Sequence, residues 1–270
     1  ANMNITLNGE SHATNARCVS ELSEKSPFTS EWVVIINGFQ ISENTPIKDG
    51  DSVFIIPRGT LPNKEQLEAM LTARHTPKVH DKVKKASVAV MGLGGLGSNI
   101  ALQLARTGVG SLHLIDYDVV EPSNLNRQQY MIKHLGMLKT EALREQIQQV
   151  NPYVNVKTTA VRLTEDNIIG CVKHSDIICE AFDEPECKAM AVNAVLENLP
   201  DKYIVASSGM AGLESSNAIA TRKIGGRLYI CGDGVTAARQ GCGLMAPRVS
   251  ICAGHMANMI LRIITGNYDV

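Results

Sequence analysis

The sequence predicts two folded domains: a small α+β domain in the first 60 residues, then an α/β domain whose largely parallel sheet is covered by helices on both faces. Three observations carry this. At 270 residues the chain exceeds the common single-domain size. Up to residue 57 it is made of short apolar runs separated by turn dipeptides. From residue 86 apolar strands alternate with helical segments, the order that builds parallel sheets.

In the small domain, Ile5-Thr6-Leu7 runs into Asn8-Gly9, a hairpin signal. Cys18–Lys25 holds a short helix at best, with Val19 and Leu22 three apart. Trp32–Ile36 is an apolar strand, Asp49-Gly50-Asp51 a turn, and Val53–Ile56 a further strand. Pro57 to Pro77 is the joint. Pro62 opens a helix whose Leu67, Met70 and Leu71 share one face and which ends before Pro77. The division falls between residues 59 and 60, with 60–85 as linker and first helix of the larger domain.

In the larger domain, Ala86–Met91 is a strand, Ser98–Thr107 a helix stopped by Gly108, and Leu112–Ile115 a second strand. Lys139–Gln149 is a helix closed by Asn151-Pro152. Val154–Val161 and Ser175–Glu180 are strands, and Glu186–Glu197 is a helix. Tyr203–Ser207, Ala218–Arg222 and Arg227–Cys231 are further strands, and a helix over Val249–Ile264 closes the chain.

Hydrophobic residues make up 44%, charged residues 20%, and the net charge is −1, which excludes a disordered chain and a strongly basic nucleic-acid binder. No apolar run reaches the ~18–20 residues of a membrane span, and no basic stretch before an apolar core marks a secretory leader. The cysteines Cys18, Cys171, Cys179, Cys187, Cys231, Cys242 and Cys252 are odd in number and include no Cys-x-x-Cys pair. Neither a disulfide framework nor a zinc site is expected, and a reducing cytoplasm fits. Cys171, Cys179 and Cys252 read as core, and His255, Met256 and Met259 as packing on the last helix.

Gly92-Leu93-Gly94-Gly95-Leu96-Gly97 sits between a strand and a helix. Glycines there let the backbone turn tightly and approach a phosphate, and the helix N-terminus adds free N–H groups. Asp116 ends the next strand, 24 residues after Gly92, where a carboxylate accepts hydrogen bonds from ribose hydroxyls. These features predict a nucleotide site. Asp118, Asn124, Arg127, Gln128 and Lys139 follow, and the donors of Asn124, Arg127 and Lys139 suit a β,γ-phosphate tail. Read singly, Arg127 and Lys139 are solvated surface charges. Asp183 lies just beyond the strand Ser175–Glu180, at the carboxyl edge where ligands of parallel sheets bind. It is a candidate to hold Mg²⁺ on the phosphates, with Glu180 and Glu184 as competitors, or to cap the helix that follows.

Gly92–Gly97, Asp116-x-Asp118, Ser123-Asn124-Leu125-x-Arg127-Gln128, Lys139 and Asp183 together resemble the ThiF/MoeB family, over about residues 64–265. Ser208-Gly209-Met210-Ala211-Gly212 and Gly243-Leu244-Met245-Ala246-Pro247-Arg248 resemble a ThiF subgroup without zinc. The resemblance implies a Rossmann-like sheet and ATP-dependent adenylation of the C-terminal glycine of a small sulfur-carrier protein, in thiamine or related sulfur-metabolite biosynthesis. By the same resemblance Asp116 holds the ribose, Asn124, Arg127, Gln128 and Lys139 the triphosphate, and Asp183 the Mg²⁺. Arg74 resembles the family's arginine supplied across a homodimer; read alone it is a surface helix charge. Cys242, in a loop before the last helix and preceded by Arg239, resembles a cysteine that some relatives use for a persulfide-linked acyl intermediate, with a sulfur donor such as a cysteine desulfurase. Read alone it is an incidental loop cysteine. Asn37-Gly38, Ile47-Lys48-Asp49-Gly50-Asp51 and Val53–Ile56 resemble ThiS-type β-grasp carriers. A carrier ends in a free Gly-Gly, whereas Pro57-Arg58-Gly59-Thr60 runs on. The fused domain is therefore expected to dock or regulate, and the carrier to be a separate chain. The rival readings are a non-catalytic carrier- or nucleotide-binding module and an NAD(P)-dependent oxidoreductase.

Overall fold

The computed structural model describes residues 2–23 and 27–270, so the end of the short helix expected at Cys18–Lys25 lies outside the described residues; Val19–Leu22 forms one 3₁₀ turn. The chain divides into two compact units, Ala1–Lys82 and Val83–Val270.

The first unit holds strands β1 (Met3–Leu7), β2 (Glu10–Thr14), β3 (Trp32–Ile36), β4 (Phe39–Ile41) and β5 (Ser52–Pro57), in the sheet order β2-β1-β5-β3-β4. β1 and β5 run parallel and the other pairs antiparallel. Both hairpins turn on Asn-Gly, with positive φ at Asn8 (51°), Gly9 (92°), Asn37 (50°) and Gly38 (81°), the backbone that matches strand twist. One sheet face packs Ile5, Val34, Val53 and Ile55 on Val19 and Ile47. The other face, carrying Ile35 and Ile56, is covered by helix α1 (Lys64–His75), which is capped reciprocally by Asn63 and Gln66. The sequence places Leu67, Met70 and Leu71 on one apolar face of this helix and counts the helix with the larger domain. The structure uses Ala69, Met70 and Ala73, whose mostly small side chains let the helix lie close to the strands. A short helix α2 (Pro77–Val83) follows.

The second unit runs β6 (Ser87–Met91), α3 (Gly95–Arg106), β7 (Ser111–Ile115), α4 (Lys139–Val150), β8 (Asn155–Thr159), α5 (Ile168–Val172), β9 (Ile177–Glu180), α6 (Pro185–Asn198), β10 (Tyr203–Ser207), β11 (Ala220–Ile224), β12 (Leu228–Gly232) and α7 (Ala246–Thr265). The sheet order is β11-β12-β10-β9-β6-β7-β8, parallel throughout except for β11 on β12. Val88, Val90, Leu112 and Leu114 face α3, α4 and α7, while Ala89, Met91 and Ile178 face α5 and α6. Strands buried on both faces explain the unbroken apolar runs in the sequence. β11 starts later than expected because Ser216–Ala218 is a 3₁₀ turn, and β8 stops at Thr159. The order reverses at β6: β7 and β8 lie to one side, β9 and β10 to the other. A crevice opens at such a reversal, at the carboxyl ends of the strands.

Candidate functional site

A cavity of about 460 Å³ occupies that crevice. Gly92 leaves β6 with φ +85°, and a Cβ there would stand 2.9 Å from the Ala181 carbonyl oxygen. A Cβ on Gly97 would lie 1.8 Å from the Gly92 carbonyl oxygen, so α3 can seat on the strand end only through glycine. Gly92, Gly94 and Gly95 line the cavity, and no acidic residue occupies the first turn of α3. Asp116 fastens this loop: Oδ2 accepts from the Leu93 N–H at 2.6 Å and Oδ1 from the Asp118 N–H at 2.8 Å. The Tyr130 hydroxyl donates to the Leu93 carbonyl at 2.7 Å.

Arg127, Gln128 and Lys139 come together on the same wall. Lys139 opens α4, buried, and its Nζ pairs with Asp118 Oδ2 at 2.9 Å. Arg127 donates through one terminal nitrogen to the Ser123 carbonyl and the Asn126 side chain. Its Nε is buried without a partner, and so is Gln128 Oε1. Buried polar atoms are nearly always paired, so two orphans on residues that line one cavity make that wall the candidate for a ligand. Asn124 is not on that wall. It is buried, accepts from the Glu121 N–H at 2.9 Å, and its carbonyl receives the N–H groups of Arg127 and Gln128. It shapes the loop that presents those two residues.

Asp183 stands exposed on the wall beyond β9. Helix α6 has Glu184 at its N-cap and Pro185 next, without a side-chain cap bond, so Asp183 is not spent on capping. Glu180 is fully buried. It accepts from the Phe182 N–H at 2.6 Å and from Lys188 Nζ at 3.1 Å, and does not compete with Asp183 for a cation in the cavity. Burial pushes its carboxyl above the usual range, against the pull of the Lys188 ammonium. No group of three or more His, Cys, Asp or Glu side chains placed to hold a metal occurs among the described residues.

Sequence reading missed several wall residues. Arg162, just past β8, stands over the Tyr117 ring at 5.7 Å, and both line the cavity. Asp233 and Arg248 form a buried ion pair at 2.8 Å. Arg248 also donates to the Ala211 carbonyl at 2.6 Å and to Thr236 Oγ1 at 3.2 Å. Burial alone would raise the Asp233 carboxyl, but hydrogen bonds from Thr236, Val235 and Arg248 outweigh it and hold the group far below the usual range. The pair sews the loops after β10 and β12 to the first turn of α7, and those loops supply Gly209, Met210, Gly234 and Val235 to the cavity. Its only sequence signal was the Gly243–Arg248 motif. Cys242 is half-buried and lies outside the lining, in a tight turn with Arg239, its sulfur close to Gly212. Arg74 is exposed on the last turn of α1, in the first unit.

Comparison with known proteins gives the ThiF family over residues 67–270. The chain belongs to the ThiF family. Residues 3–59 match the ThiS-like ubiquitin family, in agreement with the β-grasp sheet of the first unit. Curated relatives include the adenylyltransferase and sulfurtransferase UBA4 of Candida glabrata, 33% identical over 196 residues, which covers 70% of this chain and 44% of that protein. The Saccharomyces cerevisiae protein of the same name is 35% identical over 195 residues, 69% of this chain and 43% of that protein. The chain thus spans under half the length of these relatives. Among solved structures, the E. coli tRNA N6-threonylcarbamoyladenosine dehydratase TcdA, in complex with ATP, superposes with a TM-score of 0.68 at 21% identity, covering 76% of this chain and 96% of that one. E. coli MccB, solved with AMPCPP and MccA, gives 0.57 at 23% identity, covering 80% and 68%. These likenesses establish a shared fold.

Proposed function

We propose that the chain is an ATP-dependent adenylyltransferase that activates the C-terminal glycine of a separate sulfur-carrier protein ending in Gly-Gly. The expected division after residue 59 is moved by helix α1, which packs on the small sheet: residues 83–270 would form the adenylation domain and residues 1–82 a docking or regulatory module. The observation that carries this reading is the orphaned pair, Arg127 Nε and Gln128 Oε1, beside Lys139 and the glycine loop. ATP supplies phosphate acceptors for Arg127 and hydroxyl donors for Gln128. The adenylyltransferase name of the UBA4 relatives and the ATP complex of TcdA support it.

In this reading the glycine carboxylate attacks the α-phosphate, and the bond to the departing pyrophosphate breaks. The nucleophile is already ionised, so no general base is needed. Arg127, Lys139 and the α3 N-terminus stabilise the charge that grows on the phosphates. Asp116 keeps a lone pair on each oxygen for ribose hydroxyls. Mg²⁺ fits a cavity whose exposed carboxylates, Asp183 and Glu184, stand side by side, since this ion retains waters and needs few protein ligands; held by Asp183 it would withdraw charge from the phosphates. Arg74 serves the site of a second copy in a homodimer. Cys242 receives a persulfide sulfur from a donor such as a cysteine desulfurase; its outer sulfur then attacks the acyl-adenylate, the acyl C–O bond breaks, AMP leaves, and a persulfide-linked acyl intermediate forms. The product is a precursor of thiamine or of a related sulfur metabolite.

The test is ATP–pyrophosphate exchange in the presence of a small Gly-Gly-ended protein captured on the chain. Wild type should exchange only with that protein. Asp183→Asn should lower the rate by about 100-fold or more with an unchanged unfolding curve, because an exposed carboxylate contributes little packing. Exchange by that variant at the wild-type rate removes Asp183 from the mechanism, and no exchange by wild type refutes the reading.

A further inference from the structure

The cavity crosses strand ends in the order β7, β6, β9, β10. In the adenylation reading, on which this inference rests, Asp116 at β7 and the glycine loop at β6 take the ribose and phosphates. The β10 end is left for the group that attacks the phosphate. Ser207 ends β10 there, 4% exposed and in the cavity lining. Its Oγ accepts from Lys188 Nζ at 2.6 Å. The same ammonium donates to Glu180 Oε1 at 3.1 Å and Oε2 at 3.4 Å. Glu180 in turn accepts from the Ser207 N–H at 3.3 Å, closing the cluster.

An ammonium has three protons, and three acceptors inside the cluster, Ser207 Oγ and both Glu180 oxygens, lie within 3.4 Å of this one, so Lys188 is engaged there. The Ser207 hydroxyl has one. Its oxygen is occupied by Lys188, and its own proton meets no acceptor among the described residues. A hydroxyl oxygen that accepts from a cation is a stronger donor, because the bonds polarise one another. We propose that Ser207 donates this hydrogen bond to an oxygen of the substrate carboxylate, and to the acyl carbonyl once the adenylate has formed. Lys188 and Glu180 are positioning residues. Their charges cancel, so the relay orients the carboxylate without setting a free cation against it, which would blunt its attack.

The test uses glycyl-sulfamoyl adenosine, a stable mimic of an acyl-adenylate, and 5′-sulfamoyl adenosine, the same molecule without the acyl arm. Wild type should bind the acyl compound more tightly. Ser207→Ala should weaken the acyl compound about tenfold, the worth of one hydrogen bond to a polarised group, and leave the other within about twofold. Ser207→Thr keeps the hydroxyl and should keep both affinities. Lys188→Arg should weaken only the acyl compound, since a planar fork cannot reproduce the three-way donation. Equal losses for the two compounds, or none, overturn the inference. Wild type that binds both equally well overturns it while leaving the nucleotide site standing. Wild type that binds neither removes the nucleotide site and this inference with it.

Discussion

Arg248→Met removes one member of a pair whose side chains are 5% and 6% exposed. Asp233 would keep its hydrogen bonds from Val235 and Thr236, yet its charge would stay buried without a counter-ion. Breaking a buried pair from one side costs about 3–5 kcal/mol. The surviving hydrogen bonds place this case near the lower end, about 3 kcal/mol. For a unit of this size that is a fall in melting temperature of roughly 6–12 °C. Urea denaturation followed by circular dichroism gives the free energy, and calorimetry the temperature. Arg248→Met/Asp233→Leu removes the stranded charge and should recover about 1 kcal/mol or more. The pH dependence has a definite sign. Asp233 is held well below its unfolded value, so its stabilisation is complete above about pH 4 and fades as pH falls through the folded value. The gap between wild type and Arg248→Met should therefore close in acid. A single-variant loss under about 1 kcal/mol, or a double variant weaker than the single, would refute the argument.

Three further outcomes are expected. His113 is buried against Thr159 Oγ1 at 2.8 Å, and burial, helped by Lys157, lowers it to about 4. The unfolded ring takes a proton near pH 6.5 and the folded one near 4, so stability should fall by at most about 3 kcal/mol on acidification across that window, and His113→Gln should flatten it in pH-dependent urea melts. If Arg74 acts across a homodimer, inactive Arg74→Ala and Asp183→Asn proteins, mixed and allowed to exchange subunits, should regain about a quarter of wild-type pyrophosphate exchange, from one intact site in half of the dimers; no recovery despite exchange refutes action in trans. Gly59 lies in an exposed turn that continues into Thr60, so mass spectrometry after Mg-ATP treatment should find no AMP on residues 1–59.

The parts of this molecule that were legible in sequence are those set by local chemistry. Asn8-Gly9 specifies its turn, the glycines of 92–97 specify a strand-to-helix passage, and central strands such as Val88–Met91 announce burial on both faces. Where local signal is weak, reading fails. β2 is Glu-Ser-His-Ala-Thr, exposed along almost its whole length, and exists because β1 offers it a ladder. β4 is three residues long. The site shows the same division. Asp116, Arg127, Lys139 and Asp183, each marked in the sequence by a motif or a strand end, all line the cavity. The motif points Asn124 at phosphate, yet its side chain accepts from a backbone N–H, since a short amide in a turn is readily captured by its own loop. Asp233–Arg248 and Glu180–Lys188–Ser207 join residues from different loops, strands and helices, and pairing of that kind is a product of topology, which single-sequence spacing does not encode.

The helix laid on the outer face of the small sheet has a practical and an evolutionary side. Cutting the chain after Gly59, where the ubiquitin-like match ends, would uncover Ile35 and Ile56 together with flanking Val33 and Phe54, and the excised fragment would be sticky. A cut at Lys82 keeps the helix and its sheet as one body. A freely diffusing carrier has to leave its surface open to successive enzymes. Here the corresponding sheet face is occupied by helix α1, the segment that leads on to the second unit, so a partner that reads that face would have to displace the helix.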